Sequence, residues 1–293
     1  MTPTSPKPLQ SLKGVRVLSL ALNLPGPAAL MRCRDRGASC TKLEPLAGDP
    51  MVHYSPEAYA DLHRGVEVIH ADLKTPAGQS ALHVVLGQSD VLLTSFRPSA
   101  LVKLGLTWPA LHRRYPALSM VMIVGSSGEG AEIPGHDLTY MAANDLVTGL
   151  DLPATLYADM GGSLMASEAV LQAVMHQRSN GIGALVEVAL ADAANYLALA
   201  RAWGLTQPGA AVGGGHAGYR VYACKDGRVA AAALEPHFSA SLCAAVGMAD
   251  SSALAMTSPQ SHAQVAAFFM KHTRSEIDAL AAERDLPLHS LPG

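Results

Sequence analysis

At 293 residues the chain is long enough for two cores, because single hydrophobic cores stop growing near about 250–300 residues. Its 21 Lys and Arg against 24 Asp and Glu leave a net charge of −3, with only 15% charged residues, so no basic field exists to hold nucleic-acid phosphates. No apolar run is long enough to span a membrane, and Met1 to Leu12 carries Pro, Ser and Lys without the apolar stretch of a secretory signal. The expectations are a cytoplasmic location and neither nucleic acid nor membrane as partner.

Val15 to Leu20 reads as a strand, and Gly26-Pro27 opens a helix that Gly37 stops. Ser39 to Glu44 and Val66 to Asp72 are the next predicted strands. A helix from Pro76 to Gly87 and strands at Asp90 to Ser95 and Leu118 to Val124 follow. Strands separated by helices predict an α/β fold, a Rossmann-like large domain with a parallel sheet. A long helix is expected over Ser163 to Gln177, then a strand at Ala184 to Ala189 and a helix through Trp203. Gln207 to Gly218 holds Pro208 and five glycines, a loop or linker. The domain division is therefore placed at 1–205 and 206–293, the second a smaller α+β domain. There Tyr219 to Cys224 and Arg228 to Ala233 flank Lys225-Asp226-Gly227, a hairpin signal, and two helices finish the chain.

Several motifs reduce to simpler readings. Gly213-x-Gly215-x-x-Gly218 matches a dinucleotide fingerprint in letters, but a predicted strand follows it where a helix is needed. Gly125-Ser126-Ser127-Gly128 lacks the final glycine of a nucleophile elbow, finding Glu129. The four cysteines and twelve histidines show no metal-ligand spacing, so no metal is expected and the thiols read as free.

Three strings keep an ionisable residue beside Gly or Pro, where a loop can aim it at a ligand: Gly135-His136-Asp137-Leu138-Thr139-Tyr140, Ala158-Asp159-Met160-Gly161-Gly162 and Leu234-Glu235-Pro236-His237-Phe238. In order, and with Leu12 to Leu18, Pro25-Gly26-Pro27, Arg36 to Glu44, Ala71 to Pro76, Phe96-Arg97-Pro98 and Leu104-Gly105-Leu106, they resemble the family III CoA-transferases (CaiB/BaiF). That group includes carnitine and formyl-CoA transferases and α-methylacyl-CoA racemases, and His136, Asp159 and Glu235 match the racemase branch.

The resemblance implies epimerisation at Cα of a 2-methylacyl-CoA. His136 and Asp159 would serve opposite faces of the carbon, and Glu235 would share a proton with Asp159. The backbone amides of Met160 to Gly162 are expected to stabilise the enolate oxygen, with Gly161 and Gly162 admitting the thioester. Met141, Met160 and Met165 read either as a soft floor for the acyl chain or as core. Lys42, Lys74 and Arg97 would meet CoA phosphates, and His70, Ala71, Asp72 and Leu73 would run along the nucleotide. Gly135, Asp137 and Tyr140 are expected to line the same site. No cofactor beyond the substrate's CoA is expected, and the family implies a homodimer. One alternative is CoA transfer through an Asp159 thioester, with Gly213 to Gly215 as a shielding loop. Another is an inactive CoA-binding homologue, suggested by a second domain that reads as short at its C-terminus for the family.

Overall fold

The computed structural model describes residues 9–293. They form two compact units, the first ending at Ala198 and the second running from Leu199 to Gly293, so the division falls ahead of position 205.

The first unit runs β1 (Arg16–Ser19), α1 (Pro25–Asp35), β2 (Ser39–Glu44), α2 (Met51–Tyr54), α3 (Pro56–His63), β3 (Glu67–His70), α4 (Pro76–Leu86) and β4 (Val91–Thr94). It continues with α5 (Pro98–Leu104), α6 (Trp108–Arg114), β5 (Ser119–Val124), α7 (Asp137–Ala143), α8 (Tyr157–Asn180), β6 (Leu185–Ala189) and α9 (Leu190–Leu197). All six strands are parallel, in the order β3-β2-β1-β4-β5-β6. This is the Rossmann-like order, in which the chain starts at the centre, builds to one edge and returns to build the other.

The apolar runs produce this sheet because successive strand residues face opposite sides and both sides are covered. Val17, Leu93, Val121 and Ile123 face one core, which includes Leu30 and Cys33 of α1 and Ala166 and Val170 of α8. Their neighbours Leu18, Leu92, Met120 and Met122 face the other, which includes Leu82 of α4, Leu101 of α5 and Leu111 of α6. Where the strand order reverses, β1 and β4 lie side by side and their following loops separate to opposite faces, which leaves a crevice at the carboxyl ends.

The second unit begins with α10 (Leu199–Ala202) and the glycine-rich loop. An antiparallel sheet follows, β7 (Tyr219–Cys224), β8 (Gly227–Ala232) and β9 (Leu288–Leu291), with β8 central. Cys224 pairs with Gly227, so the hairpin turns on Lys225-Asp226 alone. Between β8 and β9 lie α11 (Pro236–Val246), α12 (Ala253–Met256), α13 (Pro259–Phe269) and α14 (Arg274–Arg284), with Leu242, Val265, Phe269 and Ile277 in the unit's core. Four helices and a strand replace the two expected helices. Ser252, Ser258 and Thr273 each accept a bond from a backbone amide three residues on, cutting the stretch into separate helices. The GxGxxG string leads into β7, so the glycines belong to a loop and not to a helix-opening phosphate turn. Among the described residues no helix is long and apolar enough to cross a membrane, and all four cysteines are free and buried.

Candidate active site

A cleft of about 520 Å³ opens at the carboxyl ends of β1, β4 and β5, at the crevice the strand order predicts. Asn23 follows β1, Arg97 follows β4 and Gly125 follows β5, while His136, Tyr140 and Asp159 enter from the turn before α7, from α7 and from α8 respectively. Residues more than a hundred positions apart thus meet because β1, β4 and β5, neighbours in the sheet, end side by side.

His136 precedes α7 in extended conformation (φ −141°, ψ 166°). Its amide donates to Thr139 Oγ1 at 3.0 Å, and the Thr139 hydroxyl donates to the His136 carbonyl at 2.7 Å, so the backbone is fixed while the imidazole stays exposed at the cleft.

Asp159 sits in the first turn of α8, whose start at Tyr157 is six residues ahead of the predicted Ser163. Its amide donates to Oδ1 of the buried Asp137 at 3.0 Å, which ties α7 to α8. Burial, and then the Asp137 charge, push the Asp159 carboxyl up to about 6, with His136 pulling the other way. A second carboxylate that acts on Asp159 in this unit is Asp137, through its charge and through the bond it accepts from the Asp159 amide. Glu235 lies in the second unit, immediately before α11.

Gly161 and Gly162 are inside α8, and their lack of a side chain serves helix packing. A Cβ on Gly162 would stand 2.3 Å from Leu190 Cδ2, and one on Gly161 3.0 Å from Leu197 Cδ1, both against α9. The Met160 amide already donates to the Leu156 carbonyl at 3.0 Å. With the helix under way by Tyr157, the amides of 160–162 are not a free N-terminal cluster, and the expected oxyanion donors fall away. Met141 is buried with Tyr140 and Ala158, Met165 packs on the main core and Met160 is exposed. Met51 lines the cleft instead.

The expected phosphate ligands separate. Arg97 lines the cleft. Lys74 lines a second concavity of about 730 Å³ with Leu73, Gln79 and Lys103, a lysine the sequence reading did not select. Lys103 lies in α5, five residues beyond the Arg97-Pro98 motif. Asp72 is used locally, its Oδ1 accepting from the Lys74 amide at 3.0 Å. The amide of the buried Ala71 donates to the Glu44 carbonyl at 3.0 Å, and His70 Nε2 lies 3.5 Å from Glu44 Oε2.

Lys42 cannot meet a phosphate, because it is completely buried. Its Nζ lies 2.9 Å from Glu44 Oε1, 2.5 Å from Asp49 Oδ2 and 2.9 Å from His63 Nε2. These three acceptors are spaced as metal ligands would be, and the ammonium takes the cation's place among them. His63 Nδ1 donates to the Tyr59 carbonyl at 2.7 Å, leaving Nε2 to accept from Lys42. Burial, aided by Lys42, holds the imidazole below its usual pKa. Asp49 in turn accepts from the amides of Met51 and Asn23 at 2.9–3.1 Å, holding the cleft's first loop with Asn23 at φ +63°.

An open parallel sheet with a histidine and a raised-pKa aspartate facing one cleft at its switch point defines an α/β ligand site suited to acid–base chemistry. The chain belongs to CoA-transferase family III, whose profile it matches over residues 12–291. It is 30% identical to the cinnamoyl-CoA:phenyllactate CoA-transferase of Clostridium sporogenes over 62% of this chain and 50% of that protein. To the human alpha-methylacyl-CoA racemase it is 28% identical over 81% of this chain and 65% of that one. The chain thus spans about half to two thirds of these relatives' lengths. The fold matches the crystal structure of Rv3272 from Mycobacterium tuberculosis with a TM-score of 0.82 and 24% identity, covering 96% of this chain and 85% of that one.

Proposed function

We propose that this chain acts on acyl-CoA thioesters and epimerises the α-carbon of a 2-methylacyl group by two-base proton transfer. The observation that carries this reading is that His136 and Asp159 open on one cleft while burial and Asp137 raise the Asp159 carboxyl to about 6. One of the two removes the Cα proton, the C–H electron pair delocalises onto the thioester oxygen, and the other returns a proton to the opposite face. A carboxylate near 6 is ionised at neutral pH yet far more basic than an ordinary aspartate, which suits it to the first step. Arg97, Lys74 and Lys103 supply cations for the CoA phosphates.

Similarity to CoA-transferases at about the same identity favours a second reading of the same site. Asp159 would attack the thioester carbonyl and expel the CoA thiolate to give a mixed anhydride. The thiolate would then attack the aspartyl carbonyl, releasing the acid and leaving an aspartyl-CoA thioester.

Incubation of the protein with a 2-methylacyl-CoA in D₂O separates the two. Deuterium at Cα without any acceptor acid is the expected result. CoA transfer to an added carboxylate, with an adduct trapped on Asp159 and no exchange, establishes the transferase instead. CoA-thioester binding with neither reaction leaves an inactive homologue.

A further inference from the structure

With the amides of 160–162 committed to α8, the developing enolate oxygen needs another donor, and the cleft contains one. Tyr140 is buried to 8% exposure in α7. Its ring packs with Met141, Ala158 and Ala194, and its hydroxyl makes no hydrogen bond among the described residues. The space around that hydroxyl is set by two glycines from different segments. A Cβ on Gly125, just after β5, would stand 2.3 Å from Tyr140 Oη, and one on Gly135 would stand 2.5 Å from it. Any other residue at either place would displace the phenol tip, so both backbones are shaped to it. Tyr140, Gly125, Gly135, His136 and Asp159 all line the same cleft.

We propose that the Tyr140 hydroxyl is a further catalytic group, donating a hydrogen bond to the thioester oxygen as negative charge develops there. This rests on the reading of the cleft as a thioester site. It covers both reactions, because an enolate and a tetrahedral adduct each place negative charge on that oxygen. The proton stays on the phenol throughout. Burial and the Asp159 charge make it harder to remove, outweighing Arg97, so Tyr140 is a donor across the neutral range. A phenol held by its ring in a helix and boxed by two backbones is oriented before substrate arrives, which makes such a donor effective.

The test is a double-mutant cycle between Tyr140→Phe and Gly125→Ala, read by Cα deuterium exchange, or by CoA transfer where the wild type transfers without exchange, and by thermal unfolding. Y140F is expected to lower kcat about 10²–10³-fold, with the KM for the thioester within about threefold. Its unfolding temperature should stay close to the wild type's. G125A, which pushes the hydroxyl aside, is expected to cause a similar loss in the wild-type background. With Phe at 140 the nearest remaining ring atom is 3.3 Å from the added Cβ, so G125A should then cost less than about twofold more. Wild-type exchange in Y140F overturns the proposal, as does a G125A loss of equal size in both backgrounds. If Y140F fails to fold, normal exchange in a folded G125A overturns it. Absence of both exchange and transfer in the wild type overturns the underlying reading of the cleft.

Discussion

Two sets of ionisable side chains in the first unit are satisfied to opposite degrees. Around Lys42, an ammonium, two carboxylates and an imidazole are buried with their polar atoms paired to one another or to backbone. Around Asp159, a carboxyl, an imidazole, a phenol and a guanidinium share a cleft, and the carboxylate nearest to Asp159 bonds its amide while leaving its side chain open. Both sets carry charge into a partly dry interior. The first uses it to fix the loop carrying Asn23, the second leaves donors and acceptors for a substrate to meet. Unpaired groups in a concavity, and not ionisable groups as such, are what mark the candidate site.

The sharpest way to break this comparison is to delete one member from each set. His136→Ala or Asp159→Ala should reduce deuterium exchange by about 10²–10⁴-fold without lowering the unfolding temperature. Unchanged exchange in both removes the site assignment. Lys42→Met should act the other way round. It leaves Glu44 and Asp49 buried without their cation, a loss of about 3–5 kcal/mol, and should lower the unfolding temperature by on the order of 10 °C. Were Lys42 a phosphate ligand, the variant would unfold like the wild type and show only a raised KM for CoA thioesters.

Smaller effects sharpen the contrast. The folded-state pKa of Asp159, about 6, lies above its ordinary 3.8. The folded protein therefore holds that proton more tightly, and the associated stability is present below pH 3.8 and lost as pH rises through about 6. The first turn of α8 favours the ionised form by only about 0.3–1 kcal/mol, less than the roughly 3 kcal/mol such a shift represents. Asp159→Asn should accordingly stabilise the protein by roughly 1–2 kcal/mol at pH 8 and not at all below about pH 4, measured by denaturant unfolding. An equal gain at both pH values would show that the carboxyl is not displaced.

For catalysis the same group sets an acidic limb, with exchange falling as pH drops through about 6. Asp137→Asn keeps an acceptor for the Asp159 amide but removes a charge, so it should move that limb to lower pH with little loss of stability. A limb that stays in place would show that burial alone sets it.

Much of this was legible beforehand. The unbroken apolar runs at Val91-Leu92-Leu93 and Met120-Val121-Met122-Ile123 encode a sheet covered on both sides, and Gly and Pro mark its turns. His136, Asp137, Tyr140 and Asp159 stood out because their strings, taken in order, resemble those of the family; taken singly, each string reads as readily as a cap or a turn. Lys42 misled because a lysine in a strand motif shows its charge but not its depth. Gly161 and Gly162 misled because glycine permits close approach without saying of what, and here the approach is that of α9. The start of α8 was placed too late because glycines and Asp159 look like a cap, whereas packing on α7 and α9 carries the helix through them.

Local chemistry along the chain thus determined which segments of the first unit become strands and the alternation of helix and sheet, since each depends on residues within one turn or one strand, while the order of motifs along the whole chain carried the family resemblance and, through it, the candidate acid–base groups. Tertiary structure alone decided which charged groups are paired and which are left open. That property depends on what lies across the sheet end from each side chain, on Asp49 and Glu44 closing around Lys42, and on Gly125 and Gly135 leaving room at the tip of Tyr140.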